Sequence, residues 1–187
     1  AGKTTTLDLI TGRQVPSSGK IILNGVDITG KAEQVICRLG IGRKFQIPAV
    51  FRELSVEQNL AVAYTIEVNP IKNIFSFSSK NYKTNIDKIA DKVGLSHRLP
   101  EIAGNLSHGE IQWLEIGMLL MQDPPLLLLD EPVAGMTEGE VSKTVDILND
   151  LKKTKTLIVV EHDMGFVRRI ADVVTVMHMG SLLAKGS

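Results

Sequence analysis

A single cysteine, Cys37, excludes any intrachain disulfide from this chain of 187 residues. Aromatic residues make up only 4% of it, and no apolar run approaches the roughly 18 residues that a spanning helix requires. The longest such runs, Leu126 to Leu129 and Leu157 to Val160, have the length of strands. An excess of one charge is also missing: 21 basic residues balance 21 acidic ones, and no basic block offers a footprint to a polyanion. Nucleic acid is therefore not the expected partner, and if this protein works at a membrane, something else must hold it there. No His/Cys cluster has metal-site spacing. What is present, 43% hydrophobic and 22% charged residues, is the balance of one globular domain able to bury a core without staples.

Local patterns give the organisation. Lys3 to Ile10 reads as a short helix closed by Gly12, and Lys20 to Asn24 as a strand turning at Asn24-Gly25. Ala32 to Leu39 reads as a helix stopped by Gly40, and Ile41 to Gln46 as a strand. From Ser55 to Asp123 the β-branched alternation disappears. Ile86, Ile89, Ala90 and Val93 share one helical face there, and Ser107 to Met121 is a second long helix. After Pro124-Pro125 strands and helices alternate again: Leu126 to Leu129, a helix opened by a Thr137/Glu140 capping box, Leu157 to Glu161, Met164 to Ala171, and Val173 to Met177 turning at Gly180. This alternation predicts an α/β fold with a mainly parallel sheet covered on both faces.

Four elements carry chemistry. Gly2-Lys3-Thr4-Thr5 opens a helix as the tail of a phosphate loop does. There backbone N–H groups cradle phosphates, a lysine reaches the β- and γ-phosphates, and a hydroxyl binds Mg²⁺. Taken alone this tripeptide-scale motif is weak, since composition produces it in many chains. Leu126 to Leu129 ends in Asp130-Glu131, which places two carboxylates at the carboxyl end of a parallel sheet, where open α/β folds hold their ligands. Asp130 fits a Mg²⁺ ligand and Glu131 a general base for water; a pair of capping carboxylates is the structural alternative. Leu106-Ser107-His108-Gly109-Glu110 combines a serine N-cap with a glycine at a helix start, either a second anion site or a plain cap. His162 follows the strand ending at Glu161 and, like Gln46, would emerge at the edge of Asp130 and Lys3; His97, His108 and His178 have no such alignment.

In this order the motifs resemble those of the ATP-binding subunit of ABC transporters, over essentially the whole chain. The resemblance implies a P-loop NTPase (RecA-like) core formed by residues 1–64 and 124–187, with an inserted helical subdomain at 65–123 carrying the signature motif. It implies ATP and Mg²⁺ as cofactors. Gly2, Lys3, Thr4 and Thr5 would hold the phosphates, Thr4, Gln46 and Asp130 the Mg²⁺, and Glu131, His162 and Gln46 would be catalytic. The family works as a head-to-tail pair, so Ser107 and Gly109 would contact the ATP of the partner subunit. Transmembrane permease subunits and, indirectly, a solute-binding protein are implied as further partners. The implied place is the cytoplasmic face of the cell membrane, held peripherally.

Pro132 to Thr137 stands at the family's D-loop position. Together with Gly40 to Gln46 and Val160 to Met164, it is similar to the branch of branched-chain amino-acid and amide importers. Leu106 to Glu110 followed by Gln112 to Met118 is most similar to urea-type importers. Ile74, Phe75 and Phe77 are expected either to receive a coupling helix from a membrane subunit or to belong to the subdomain core. The resemblance also implies that the family's adenine-stacking residue and first P-loop glycines precede Ala1 and that its tail follows Ser187. On that expectation the chain as written is truncated at both ends and does not bind ATP alone. Two rival readings are a non-transport ABC ATPase acting as a clamp in DNA repair or translation, and an inactive fragment.

Overall fold

The computed structural model describes residues 2–44, 49–64 and 80–187. Helix α1 (Lys3–Ile10) begins directly after Gly2. A hairpin of β1 (Ile22–Leu23) and β2 (Val26–Asp27) follows, turning through Asn24 and Gly25 with φ of 48° and 81°. These residue types enter the left-handed region most readily, as a two-residue hairpin turn demands. Helix α2 (Glu33–Arg38) leads into strand β3 (Ile41–Lys44).

The middle of the chain is helical, with α3 (Val56–Ala63), α4 (Lys80–Lys92) and α5 (His108–Leu120). Two 3₁₀ turns, Ser96–Arg98 and Ala103–Asn105, connect α4 to α5. Then come β4 (Leu126–Asp130), α6 (Glu138–Leu151), β5 (Thr156–Val160), α7 (Met164–Ile170), β6 (Val174–His178) and β7 (Ser181–Gly186). Capping boxes start three of these helices: Ser55 with Gln58, Ser107 with Glu110, and Thr137 with Glu140. Each satisfies two backbone N–H groups that the first turn leaves orphaned.

Strands β3, β4 and β5 form a parallel sheet in that order, with β4 at its centre. Successive side chains of β4 point to opposite faces, so one strand feeds two cores. Leu127 and Leu129 pack with Leu60 of α3, Leu114 and Ile116 of α5, Leu148 of α6 and Phe166 of α7. Leu126 and Leu128 pack with Leu7, Ile28, Ile36, Ile41 and Val160. Leu127, Leu128 and Leu129 are wholly buried, each contributing about 1.5–3 kcal/mol by leaving water. A strand buried on both faces needs a continuous apolar sequence, which explains the leucine run. Its last residue, Asp130, is consequently carried to the sheet's carboxyl edge while still 1% exposed.

The expected strand at Val173 to Met177 forms but does not extend the parallel sheet. It is β6, and it pairs antiparallel with β7 in a separate ribbon. The turn between them, Met179-Gly180 with φ of 48° and 79°, closes a local hairpin, so β6 finds its partner in the residues that follow it. The predicted strand at Lys20 to Asn24 likewise shortens to β1 and, among the described residues, pairs with β2 alone. Gln46 and the apolar trio Ile74, Phe75 and Phe77 lie outside the described residues. Among the described residues, no helix is long and apolar enough to cross a membrane.

Candidate nucleotide site

The start of α1 is built on a glycine that must be a glycine. Gly2 has φ +96°, and a Cβ there would stand 3.0 Å from the Gly180 Cα. Its carbonyl accepts hydrogen bonds from the Thr6 amide (2.9 Å) and the Thr6 hydroxyl (2.8 Å), which fixes the first turn. Lys3 and Thr5 lie in that turn, and Lys3 Nζ donates to the Glu161 carbonyl at 3.3 Å. This brings the lysine to the end of β5, beside His162. Thr4, also in the first turn, lies near enough to the Asp130 carboxylate to favour its charged form, which relates the helix start to the end of β4.

Asp130 is held by a buried network. Arg43 of β3 donates to Asp8 of α1 at 2.6 Å and to the Thr11 hydroxyl at 3.0 Å, and its Nη2 stands 3.9 Å from Asp130 Oδ2. Burial pushes the Asp130 carboxyl above its ordinary value, while the Arg43 charge and the Thr4 side chain pull the other way. Asp130 Oδ1 has no hydrogen-bond partner among the described residues. A buried carboxylate oxygen without a donor is costly unless a cation or water completes it.

Glu131 adopts φ +47°, the left-handed region that side chains of its size seldom occupy. This turn carries its carboxylate out of the strand direction, with Oε1 3.6 Å from His162 Nδ1. The His162 ring is 69% exposed and thus open to a ligand. An open cleft of about 300 Å³ lies on the other flank, lined by Glu131, Ala134, His108 and Gln112. Glu161 is the residue that positions both loops. Its carboxylate, 1% exposed, accepts from the Val133 amide (3.3 Å) after β4 and from the His162 (2.9 Å) and Asp163 (3.4 Å) amides after β5.

Ser107 and Gly109 sit at the start of α5, tied within the chain to Glu140 of α6. Ser107 Oγ donates to Glu140 Oε1 at 2.9 Å, and the Gly109 amide donates to the same oxygen at 3.2 Å. The neighbouring His108, for which the sequence suggested no alignment with the site, reaches the Ala134 carbonyl through Nε2 at 3.0 Å. Glu110 does not leave a loose negative charge there. One of its oxygens accepts from the Ser107 amide (2.9 Å) and the other from Arg98 Nε (3.1 Å).

Lys3, Thr4, Asp130, Glu131 and His162 are therefore assembled at the carboxyl edge of the sheet, while Ser107 and Gly109 belong to a second cluster on α5. Sequence reasoning missed Glu161, Arg43 and the long-range reach of Glu140 and His108. Only Glu140 left a trace there, as the third residue of a capping box.

The sequence profile described as ABC transporter matches residues 1–134. The chain belongs to the ABC transporter family. It is 32% identical over 198 residues to the high-affinity branched-chain amino acid transport ATP-binding protein of Escherichia coli K12, covering all of this chain and 77% of that one. Among solved structures, the ADP conformation of an ATP-binding cassette of an ABC transporter superposes with a TM-score of 0.84 at 30% identity, covering 98% and 75% of the two chains. A protein from Clostridium perfringens that is part of an ABC transporter complex gives 0.84 at 27% identity over 98% and 72% of the two chains. The fold is thus that of an ABC ATPase cassette, and the chain is an ABC ATP-binding subunit homologous to transport ATPases. ABC ATP-binding subunits of importers act with transmembrane permease subunits.

Proposed function

We propose that this subunit hydrolyses ATP to ADP and phosphate as one of a head-to-tail pair, and so drives uptake of a small polar solute, a branched-chain amino acid. It acts peripherally on the cytoplasmic face of the cell membrane, beneath permease subunits served by a solute-binding protein. Residues 65–123 would be its signature-bearing subdomain and residues 1–64 and 124–187 its core. The observation that carries the catalytic reading is the grouping of Lys3, Asp130, Glu131 and His162 at one sheet edge, with Glu131 3.6 Å from His162.

In this reading the Gly2 to Thr5 turn and the Lys3 ammonium hold the phosphates, a role suited to a helix N-terminus with a cation beside it. Glu131 accepts a proton from water as the water oxygen attacks the γ-phosphorus. The bond from that phosphorus to the β–γ bridging oxygen breaks, and ADP leaves. His162 donates a hydrogen bond to the γ-phosphate as charge builds on its oxygens. The partner subunit's nucleotide is met by Ser107 and Gly109. The described residues suit Mg²⁺: the unpartnered Asp130 Oδ1, with Thr4 near it, is the start of the sparse oxygen set that this ion takes alongside substrate phosphates, and Gln46 would be its further ligand. Bound there, the ion would neutralise phosphate charge.

The test is Glu131→Gln in the full-length protein. ATP-dependent pairing persists in sedimentation velocity while phosphate release is abolished; retained turnover removes Glu131 from the base role. For the solute, ATPase activity of the complex reconstituted in vesicles rises with leucine. The second reading, urea, is favoured by the run Leu106 to Glu110 with Gln112 to Met118, and stimulation by urea but not leucine would select it.

A further inference from the structure

The two donors at the head of α5 already hold an anion, and it comes from the same chain. Glu140 Oε1 accepts from the Ser107 hydroxyl (2.9 Å) and the Gly109 amide (3.2 Å), while Oε2 accepts from the Thr137 amide (3.0 Å) and hydroxyl (2.9 Å). The fit is close: a Cβ on Gly109 would run into Glu140 Oε1. The Ser107 hydroxyl has one proton to give, and its acceptor side is taken by the Glu110 amide at 3.2 Å. A helix N-terminus of this kind favours negative charge, and a carboxylate and a phosphate compete for it on equal terms.

We propose that Glu140 is a built-in placeholder, a carboxylate that occupies the Ser107 and Gly109 donors until the γ-phosphate of the partner subunit's ATP displaces it. The proposal rests on the head-to-tail pairing proposed above. Phosphate and carboxylate cannot share the single Ser107 proton, and two anions in contact repel, so pairing requires the Glu140 side chain to leave. Its departure also releases Thr137, at the end of the loop that starts from Glu131. His108, bonded to the Ala134 carbonyl in the middle of that loop, is a second tie between the same two segments. Glu140 is thus a positioning residue: arrival of one subunit's nucleotide at α5 loosens the loop beside the catalytic carboxylate of the other.

The test uses the full-length protein. Glu140→Gln preserves the size of the side chain and its ability to complete the Thr137 capping box, and removes the charge that strengthens the Ser107 and Gly109 bonds. In a Glu131→Gln background, the ATP concentration giving half-maximal pairing by sedimentation velocity falls about fivefold when Glu140→Gln is added. In the nucleotide-free wild-type background, hydrogen exchange at the Gly109 amide accelerates in Glu140→Ala. An unchanged or raised pairing midpoint overturns the placeholder, and so does unchanged Gly109 exchange. If the Glu131→Gln protein fails to pair at any ATP concentration, the pairing reading falls instead, while the Gly109 exchange still reports on the contact itself.

Discussion

Glu115, on α5, holds both flanks of the stretch 45–48: its Oε2 stands 3.4 Å from Lys44 Nζ and its Oε1 accepts from the Ala49 amide at 3.3 Å. Both side chains are nearly sealed from water, at 6% and 1% exposure for Glu115 and Lys44. Burial pushes the Glu115 carboxyl above its ordinary value and the Lys44 charge opposes that push. The pair therefore straps α5 to the end of β3.

Breaking one side of that strap takes a close counter-charge away from a buried ion. Glu115→Ala is expected to lose roughly 3–5 kcal/mol of folding stability. The double variant Lys44→Met with Glu115→Leu, which removes both charges and keeps the volume, should recover most of that loss. Equilibrium unfolding in urea compares the three proteins, and a double variant as unstable as the single one would contradict the ion-pair account.

Two glycines give opposite expectations for the same substitution. Gly12 has φ +75°, and a Cβ there would run into the Lys31 backbone carbonyl oxygen, which cannot move aside alone. Gly12→Ala should therefore cost roughly 3 kcal/mol. At Gly109 the obstacle is the end of the Glu140 side chain, and the backbone is helical. Gly109→Ala should stay within about 1 kcal/mol of wild type, the gain in helix propensity offsetting the displaced carboxylate. Thermal unfolding of both variants checks the contrast.

Acid should weaken the α5–α6 contact in a predictable window. The Thr137 amide, then the Ser107 and Thr137 hydroxyls and the Gly109 amide, hold the Glu140 carboxyl below its ordinary value. A carboxylate with a depressed value in the folded state stabilises fully above the unfolded value of about 4.3 and loses that contribution as pH falls through the folded one. The stability difference between wild type and Glu140→Gln is expected to be constant near neutrality and to shrink only in acid below that point. Urea unfolding across a pH series measures it, and a difference that vanishes already between pH 6 and 7 would contradict the assignment.

Local signals in the sequence were read reliably because their causes are local. The Ser107 and Thr137 caps, with Glu110 and Glu140 three residues on, form the boxes that start α5 and α6. The apolar run at Leu126 becomes β4, buried on both faces, while the run at Leu157 becomes β5, which pairs with it although Ile158 stays exposed. Pairing partners were less legible. Val173 to Met177 has the same short apolar pattern whether it extends a parallel sheet or folds back on its successor, and the hairpin was decided by Met179-Gly180. Contacts across the fold left almost no trace. Glu140 bonds Ser107 over 33 positions and Lys3 meets Glu161 over 158. Glu161 itself looked like an ordinary strand end, since nothing in a single sequence reveals that its carboxylate bonds the Val133 amide across a neighbouring strand.

The placement of Glu161 ties together the two sides of the proposed chemistry. The loop that begins with Glu131 and the loop that begins with His162 hang from one buried carboxylate, through the amides of Val133, His162 and Asp163. Neither loop can drift by an ångström without stretching one of these three hydrogen bonds. Glu131 and His162, to which the proton and the phosphate contact were assigned in the proposal, are consequently linked into a single moving part, so a displacement of one is passed to the other.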